Sequence, residues 1–351
     1  MTAGKDCYEK PIQRVLIITD AWEPQVNGVV RTLQNTIREL SLMDVEVGMI
    51  TPKDFRTLPC PTYPEIRLSL ASRAAVEKKI VAFNPDALHI ATEGPLGWAA
   101  RSVGLKYGWG FTTAYHTRFP EYVHSRIRMP LSLSYSVFRR FHQPSSAVLV
   151  PTNAMITSLK KWRFKNLQHW SRGVDHDIFN FTDSKKSKVS KTPIFLYTGR
   201  LAIEKNVEEF LKLDLPGEKW AAGDGPMSES LKKKYPSVKF VGVLSQKDLA
   251  KLYNQADVFV FPSITDTFGL VMVEAMACGL PVAAYPVEGP IDVVGKSGAG
   301  VLNTNLRDAC LAALEIKTEC VLKRASMFTW AGATKQFYSY LKHVNVKASS
   351  P

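Results

Sequence analysis

Asp266 and Glu274 stand eight positions apart across the turn Thr267-Phe268-Gly269. Val258-Phe259-Val260-Phe261 before them reads as a buried strand, stopped by Pro262-Ser263. Leu270 to Ala277 after them reads as a helix that ends at Gly279. The helix start near Phe268-Gly269 offers free N–H groups and a positive end, which favour an anion or a hydroxyl-rich ligand. A bland strand–turn–helix unit needs no carboxylate at either place. Arg200 and Lys205 flank a second such connection, Gly199 to Asn206. Two cations and a helix start in one turn suit a diphosphate; each alone reads as well as a solvated cation. His116 ends another strand and can donate to a sugar oxygen or carry a proton near neutral pH. A structural histidine is an equally good reading. Gly28, after Asn27, lets backbone approach a phosphate, although an ordinary turn glycine is the commoner case. No full glycine-rich dinucleotide fingerprint accompanies it, which argues against a simple NAD enzyme. Gly223-Asp224-Gly225-Pro226 is a tight turn able to pass under a base or ribose.

Positioning these residues takes a repeated strand–helix pattern. Arg14 to Thr19, Val45 to Ile50, Ala87 to Ala91, Phe111 to Tyr115 and Ala147 to Val150 read as strands, with helices over Val29 to Leu40 and through Val103. The pattern resets near Ser171-Arg172-Gly173. The Lys/Ser-rich segment Phe181 to Thr192 reads as a surface loop. New strands follow at Ile194 to Tyr197, Lys219 to Ala222, Val238 to Val241, Val258 to Phe261 and Val282 to Ala284. Alternation of this kind implies an α/β chain with parallel sheets wound on both faces. Two domains are expected, residues 1–172 and 173–325. A last helix, anchored by Trp330, Phe337 and Leu341, occupies 326–351 and is expected to cross back to the first domain. Ligands of such sheets bind outside the carboxyl ends of the strands, so two facing domains make one cleft.

At 351 residues the chain fits two domains of ordinary size. No apolar run approaches the roughly 20 residues of a spanning helix. MTAGKDCYEK carries no apolar signal region, so the expected location is the cytoplasm. Five cysteines with no paired spacing read as free thiols. A net charge of +13 points to anionic partners, whether phosphorylated substrates, lipid or nucleic acid. The stretch Arg126 to His142 interleaves Arg126, Arg128, Arg139 and Arg140 with Leu131, Leu133, Tyr135, Phe138 and Phe141. It suits an anionic membrane surface. An amphipathic helix packed on its own domain, with a solvated basic face, fits equally well.

In order and spacing these motifs resemble the retaining family-4 glycosyltransferases of the GT-B fold, two Rossmann-like domains facing across a cleft. The resemblance runs from about Val15 to Trp330 through TDAWEPQVNGVVRTL, HIATEGPLGWAA, AYHTRFPEYV, SRGVDHDIF, YTGRLAIEKN, AGDGP and TDTFGLVMVEAMACGLPVA. It is nearest to bacterial lipid-directed members: glycolipid synthases, sulfoquinovosyl transferases and phosphatidylinositol mannosyltransferases. The resemblance implies that Arg200 and Lys205 clamp the diphosphate and that Glu274 holds the ribose. Asp266, where the family usually carries glutamate, meets the donor sugar. Gly28 touches the diphosphate and His116 lies close to the transferred sugar. Phe268, Gly269 and Leu270 present N–H groups to sugar and phosphate, and Val243 and Leu244 hold the base.

It further implies retention of anomeric configuration with no enzyme nucleophile, no cofactor and no metal; no Asp-x-Asp occurs. The expected donor is UDP-glucose or UDP-glucuronate and the expected acceptor a membrane lipid such as diacylglycerol, at the inner face of the cell membrane. GDP-mannose, or a polysaccharide acceptor, is the nearest alternative. A nucleotide-sugar epimerase and a two-lobed binding protein without turnover are the other classes in play. Nucleic-acid binding would explain the charge but none of the motifs.

Overall fold

The computed structural model describes residues 10–25, 27–60, 63–182 and 192–344. Two six-stranded parallel sheets carry the chain. The first has the spatial order Glu46–Ile50, Arg14–Ile18, Ala87–Ile90, Thr112–Ala114, Ala147–Val150, Leu167–His169. The second runs Lys239–Gly242, Glu218–Ala222, Ile194–Thr198, Val258–Phe261, Val282–Ala284, Gly300–Leu302. In each, the chain starts inside the sheet, runs to one edge and then fills the other side. This is the doubly wound α/β arrangement, and its reversal points lie beside Arg14–Ile18 and between Ile194–Thr198 and Val258–Phe261.

The central strands are apolar runs because helices cover both faces. Ala87–Ile90, Ala147–Val150, Ile194–Thr198 and Val258–Phe261 are buried at every position. Each large side chain removed from water there contributes roughly 2 kcal/mol. Phe195 and Phe259 do so on opposite faces of the second sheet, in separate core clusters.

The helix Gly28–Ser41 shows how the sequence aims one element at two neighbours. Asn27 caps it, its Oδ1 accepting from the N–H groups of Val29 and Val30 at 3.0 Å. Val30, Leu33 and Leu40 are buried on its own domain. Arg31, Gln34, Asn35 and Arg38, at helical spacing on another face, line a cavity shared with the second domain.

Two chain crossings join the domains. Val174 bridges Thr329, and its N–H donates to the Phe328 carbonyl at 3.2 Å. Gly173 is required there, because a Cβ would fall 2.2 Å from the backbone nitrogen of Trp330. The helix Trp330–Tyr340 then places Phe337 and Leu341 in the first domain's core. Val344 N–H donates to Asp86 O at 2.7 Å, so the chain ends its described course against the first sheet.

Several elements escape sequence reading. The segment from Asp54 to Ala71 carries an antiparallel hairpin, Thr57–Cys60 with Tyr63–Ser69. The edge strands Leu167–His169 and Gly300–Leu302 are short and half-exposed, so they lack an apolar run. The basic stretch after His116 is two helices, Phe119–Ile127 and Leu131–His142, broken where Arg128 takes a left-handed φ of 54° before Pro130. Most of the Phe181–Thr192 segment lies outside the described residues.

Candidate active site between the two sheets

The second domain's polar residues sit on turns that follow its two central strands. After Ile194–Thr198 comes Gly199-Arg200, then the short helical turn Ile203–Lys205. Tyr197 donates its hydroxyl to the Arg200 carbonyl at 2.8 Å, fixing the turn from below. The Gly223-Asp224-Gly225 turn packs directly against it: a Cβ on Gly223 would meet Gly199 O at 2.0 Å, and one on Gly225 would meet Leu201 O at 2.4 Å. That glycine turn therefore supports the Arg200 loop. After Val258–Phe261 the chain enters the Asp266 turn, tied to the first loop by Thr265 Oγ1 donating to Glu204 O at 3.0 Å.

Lys205 and Asp266 meet across these loops, Nζ donating to Oδ1. Burial opposes the ammonium charge, but Asp266, Tyr122 and Glu204 offset it, and the Lys205 pKa lies above the ordinary lysine value. Gly269, with a φ of 84°, turns the chain into the helix Leu270–Ala277. Phe268 is buried in the core, while Leu270 lines the cleft 3.7 Å from where a Gly28 Cβ would lie. Val243 is 75% exposed just after the edge strand, and Leu244 is partly buried against the core.

Glu274 lies one turn into that helix and is only 5% exposed. Its Oε1 accepts from Arg31 Nη1 of the first domain at 2.8 Å. Its Oε2 accepts from Tyr253 at 3.4 Å. Burial raises the Glu274 pKa, against the opposing pull of Arg31 and Tyr253. A cavity of about 250 Å³ opens beside this pair, lined also by Gln34, Arg38, Leu270 and Trp330.

His116 approaches from the first domain. Its carbonyl accepts from Thr267 Oγ1 at 2.7 Å, and Thr267 O accepts from Thr152 at 3.3 Å. Thr267, inside the Asp266 turn, thus ties the site to the first domain twice. Burial first, then the neighbouring Arg172, His89 and His142, push the His116 pKa well below the ordinary histidine value. The ring is neutral at physiological pH.

The structure brings Gly28, His116, Arg200, Lys205, Asp266, Phe268, Gly269, Leu270 and Glu274 to the facing ends of the two sheets. Of the four basic candidates it sets Arg139 apart. Arg139 turns inward, donating to Trp162 O at 3.0 Å, so it belongs to its own domain. Leu133, Val137 and Arg140 share an exposed face at spacings of four and three. Arg128 is exposed too, and the Arg126 side chain lies outside the described residues. Asp20, at the end of the first strand, is a helix cap: its carboxylate accepts from Leu96 N–H at 2.9 Å and Gly97 N–H at 3.3 Å. Among the described residues no three His, Cys, Asp or Glu side chains group to hold a metal.

Sequence reasoning passed over Arg31, Thr267, Tyr253 and Arg172. Arg31 had a usable signal, since it lies three positions after Gly28 on a helix and so shares its face. Tyr253 and Arg172 had none, because their partners are remote in sequence.

Comparison with known proteins fits this geometry. The family described as Glycosyltransferase Family 4 matches residues 26–178, and that described as Glycosyl transferases group 1 matches 179–316. The chain is 30% identical over 328 residues to a sulfoquinovosyl transferase of Arabidopsis thaliana, covering 84% of this chain and 64% of that protein, just under two thirds of its length. It is 28% identical over 316 residues to a GDP-mannose-dependent alpha-mannosyltransferase of Mycobacterium tuberculosis, covering 82% and 83%. It is 25% identical over 317 residues to an alpha-monoglucosyldiacylglycerol synthase of Streptococcus pneumoniae, covering 78% and 71%. A solved sucrose-phosphate synthase from Thermosynechococcus elongatus shares the fold with a TM-score of 0.77 at 21% identity, over 93% of this chain and 97% of that one.

Proposed function

Since the chain belongs to the family-4 glycosyltransferases of the GT-B fold, we propose that it moves a hexosyl group from a nucleoside-diphosphate donor to a membrane lipid, with retention at the anomeric carbon. The observation that carries this reading is the meeting of the two walls: Arg31 of the first domain pairs with Glu274, Lys205 pairs with Asp266 on the second, and the His116 carbonyl accepts from Thr267 of the Asp266 turn. Glu274 accepts from the ribose hydroxyls, and Asp266 from those of the transferred sugar. Lys205 divides its donors between Asp266 and the β-phosphate. With Arg200 it stabilises the charge that builds as the diphosphate leaves, without calling on a metal. Gly28 and the N–H groups at Phe268 to Leu270 approach phosphate and sugar. Val243 and Leu244 hold the base through their backbone. The acceptor hydroxyl attacks on the face the leaving group vacates, so no enzyme nucleophile and no cofactor enter.

The donor in this reading is UDP-glucose or UDP-glucuronate and the acceptor diacylglycerol. A sulfoquinovosyl transferase and a glucosyldiacylglycerol synthase among the relatives support a lipid acceptor. A second donor, GDP-mannose, is favoured by the GDP-mannose-dependent relative. The enzyme works from the inner face of the cell membrane. Leu133, Val137, Arg140 and Arg128 meet anionic headgroups there, with the net charge of +13 behind them. Among the described residues no helix is long and apolar enough to cross the membrane.

The test is a screen of radiolabelled UDP- and GDP-hexoses against total lipid extract, with products separated by mass. A hexosyl lipid from one donor is the expected result. Label that stays in the donor, or appears only as free or epimerised sugar, sinks the proposal.

A further inference from the structure

Arg172 is 3% exposed and has no carboxylate partner among the described residues. A buried guanidinium without an anion needs a reason. Its Nη1 donates to Trp170 O at 2.6 Å and Ser171 O at 3.0 Å, and its carbon sits 4.1 Å over the Trp170 ring. Those contacts brace the domain crossing. Its Nη2 does something else: it points at His116 Nδ1, 3.3 Å away. Arginine has donors only, so Nδ1 must be the acceptor, and a neutral imidazole with an acceptor at Nδ1 carries its hydrogen on Nε2. His116 Nε2 is buried and meets no protein partner. Trp170 holds the ring edge-on, centroids 5.7 Å apart, and is itself fixed by Nε1 donating to Ala333 O at 3.1 Å.

We infer that Arg172 is a positioning residue that locks His116 in the Nε2–H tautomer, keeping one N–H donor free of any protein acceptor for a ligand oxygen to meet. The ligand class rests on the nucleotide-sugar reading above: a hydroxyl of the transferred sugar is the oxygen that N–H would meet. The lock also resists protonation. A proton on Nδ1 would set two donors against each other, and the charged or titratable groups facing the ring are Arg172, His89 and His142, none of them an acid. Trp170, stacked under Arg172 and edge-on to His116, keeps the two side chains in register.

The experiment labels histidine with 15N in the full chain and records two-bond proton–nitrogen correlations, with His116→Gln assigning the His116 signals. The wild type is expected to show the Nε2–H pattern at pH 8 and to keep it at pH 5.5. Arg172→Lys keeps a donor and is expected to keep the pattern. Arg172→Met removes it, and His116 is expected to populate both tautomers and to titrate nearer its ordinary value. An Nδ1–H pattern in the wild type, or an unchanged pattern in Arg172→Met, overturns the assignment. If Arg172→Met does not fold, the wild type and Arg172→Lys decide alone, since loss of the single pattern in Arg172→Lys also overturns it. Calorimetric binding of UDP and of GDP to the wild type is measured in parallel. Absence of both bindings overturns the nucleotide-sugar reading and leaves the tautomer result standing on its own.

Discussion

On the second-domain wall of the cleft, the turn residues follow closely on buried strands: Arg200 comes two positions after Thr198, and Asp266 five after Phe261. On the first-domain wall, Arg31 stands on a helix and Arg172 on a chain crossing, and each acquires its meaning from a distant partner. Arg31 meets a carboxylate 243 positions away. The second wall carries charge, in Arg200, Lys205, Asp266 and Glu274. The first presents a neutral histidine and two arginines that orient other groups. In the proposed reading, one wall holds an ionic ligand and the other aims what is held.

The contrast can be broken most sharply at Lys205. If it holds the leaving diphosphate, Lys205→Ala should lower kcat/KM on the order of a thousandfold, about 4 kcal/mol, as loss of a preorganised charge donor does. A loss below tenfold would move the work to Arg200 or to the helix start. At its partner, Asp266→Glu should keep activity and Asp266→Asn should cripple it. Equal activity in both variants would remove the carboxylate from the mechanism. Next in size is Glu274→Gln, expected to weaken UDP binding by ten- to a hundredfold, as for one charge-assisted hydrogen bond of about 1.5–3 kcal/mol. A double-mutant cycle with Arg31→Gln should return a coupling of about 0.5–3 kcal/mol, since the two side chains touch. Additive losses would show that the walls act independently.

The smaller effects test each wall's surroundings. His89 is fully buried and its pKa is pushed down to about 3, chiefly by burial. The unfolded chain therefore binds a proton below its ordinary value near 6.5 that the folded chain refuses, so stability falls as pH falls through that value. Between pH 6.5 and 5.5 the cost is about 1 kcal/mol, read as a lower denaturant midpoint; His89→Phe should reduce that slope. Least of all, Arg140→Gln should weaken binding to anionic vesicles about fivefold, for roughly 1 kcal/mol per surface charge. No change would take the face of Leu133, Val137 and Arg140 out of membrane contact.

What could be read from sequence follows the same division. Val258–Phe261 and Leu270–Ala277 were legible to the residue, because a fully buried strand is an unbroken apolar run and Gly279 ends the helix. The second wall came with them, since strand ends fix where a turn's side chains go. The hairpin Thr57–Cys60 and Tyr63–Ser69 was not legible: it stands outside both main sheets and its sequence carries no apolar run. Arg139 misled because its charge suggested solvent, whereas its long side chain reaches back to a carbonyl of its own domain. Arg172 was invisible because a buried cation that serves a histidine 56 positions away leaves no local pattern.

The most direct test compares UDP with uridine, and GDP with guanosine, by calorimetric titration into the wild type and Lys205→Ala. If Arg200 and Lys205 hold a diphosphate, one nucleotide should bind the wild type about a hundredfold or more tighter than its nucleoside, and most of that margin should vanish in Lys205→Ala. Equal affinity for nucleotide and nucleoside in the wild type, for both bases, would contradict the account.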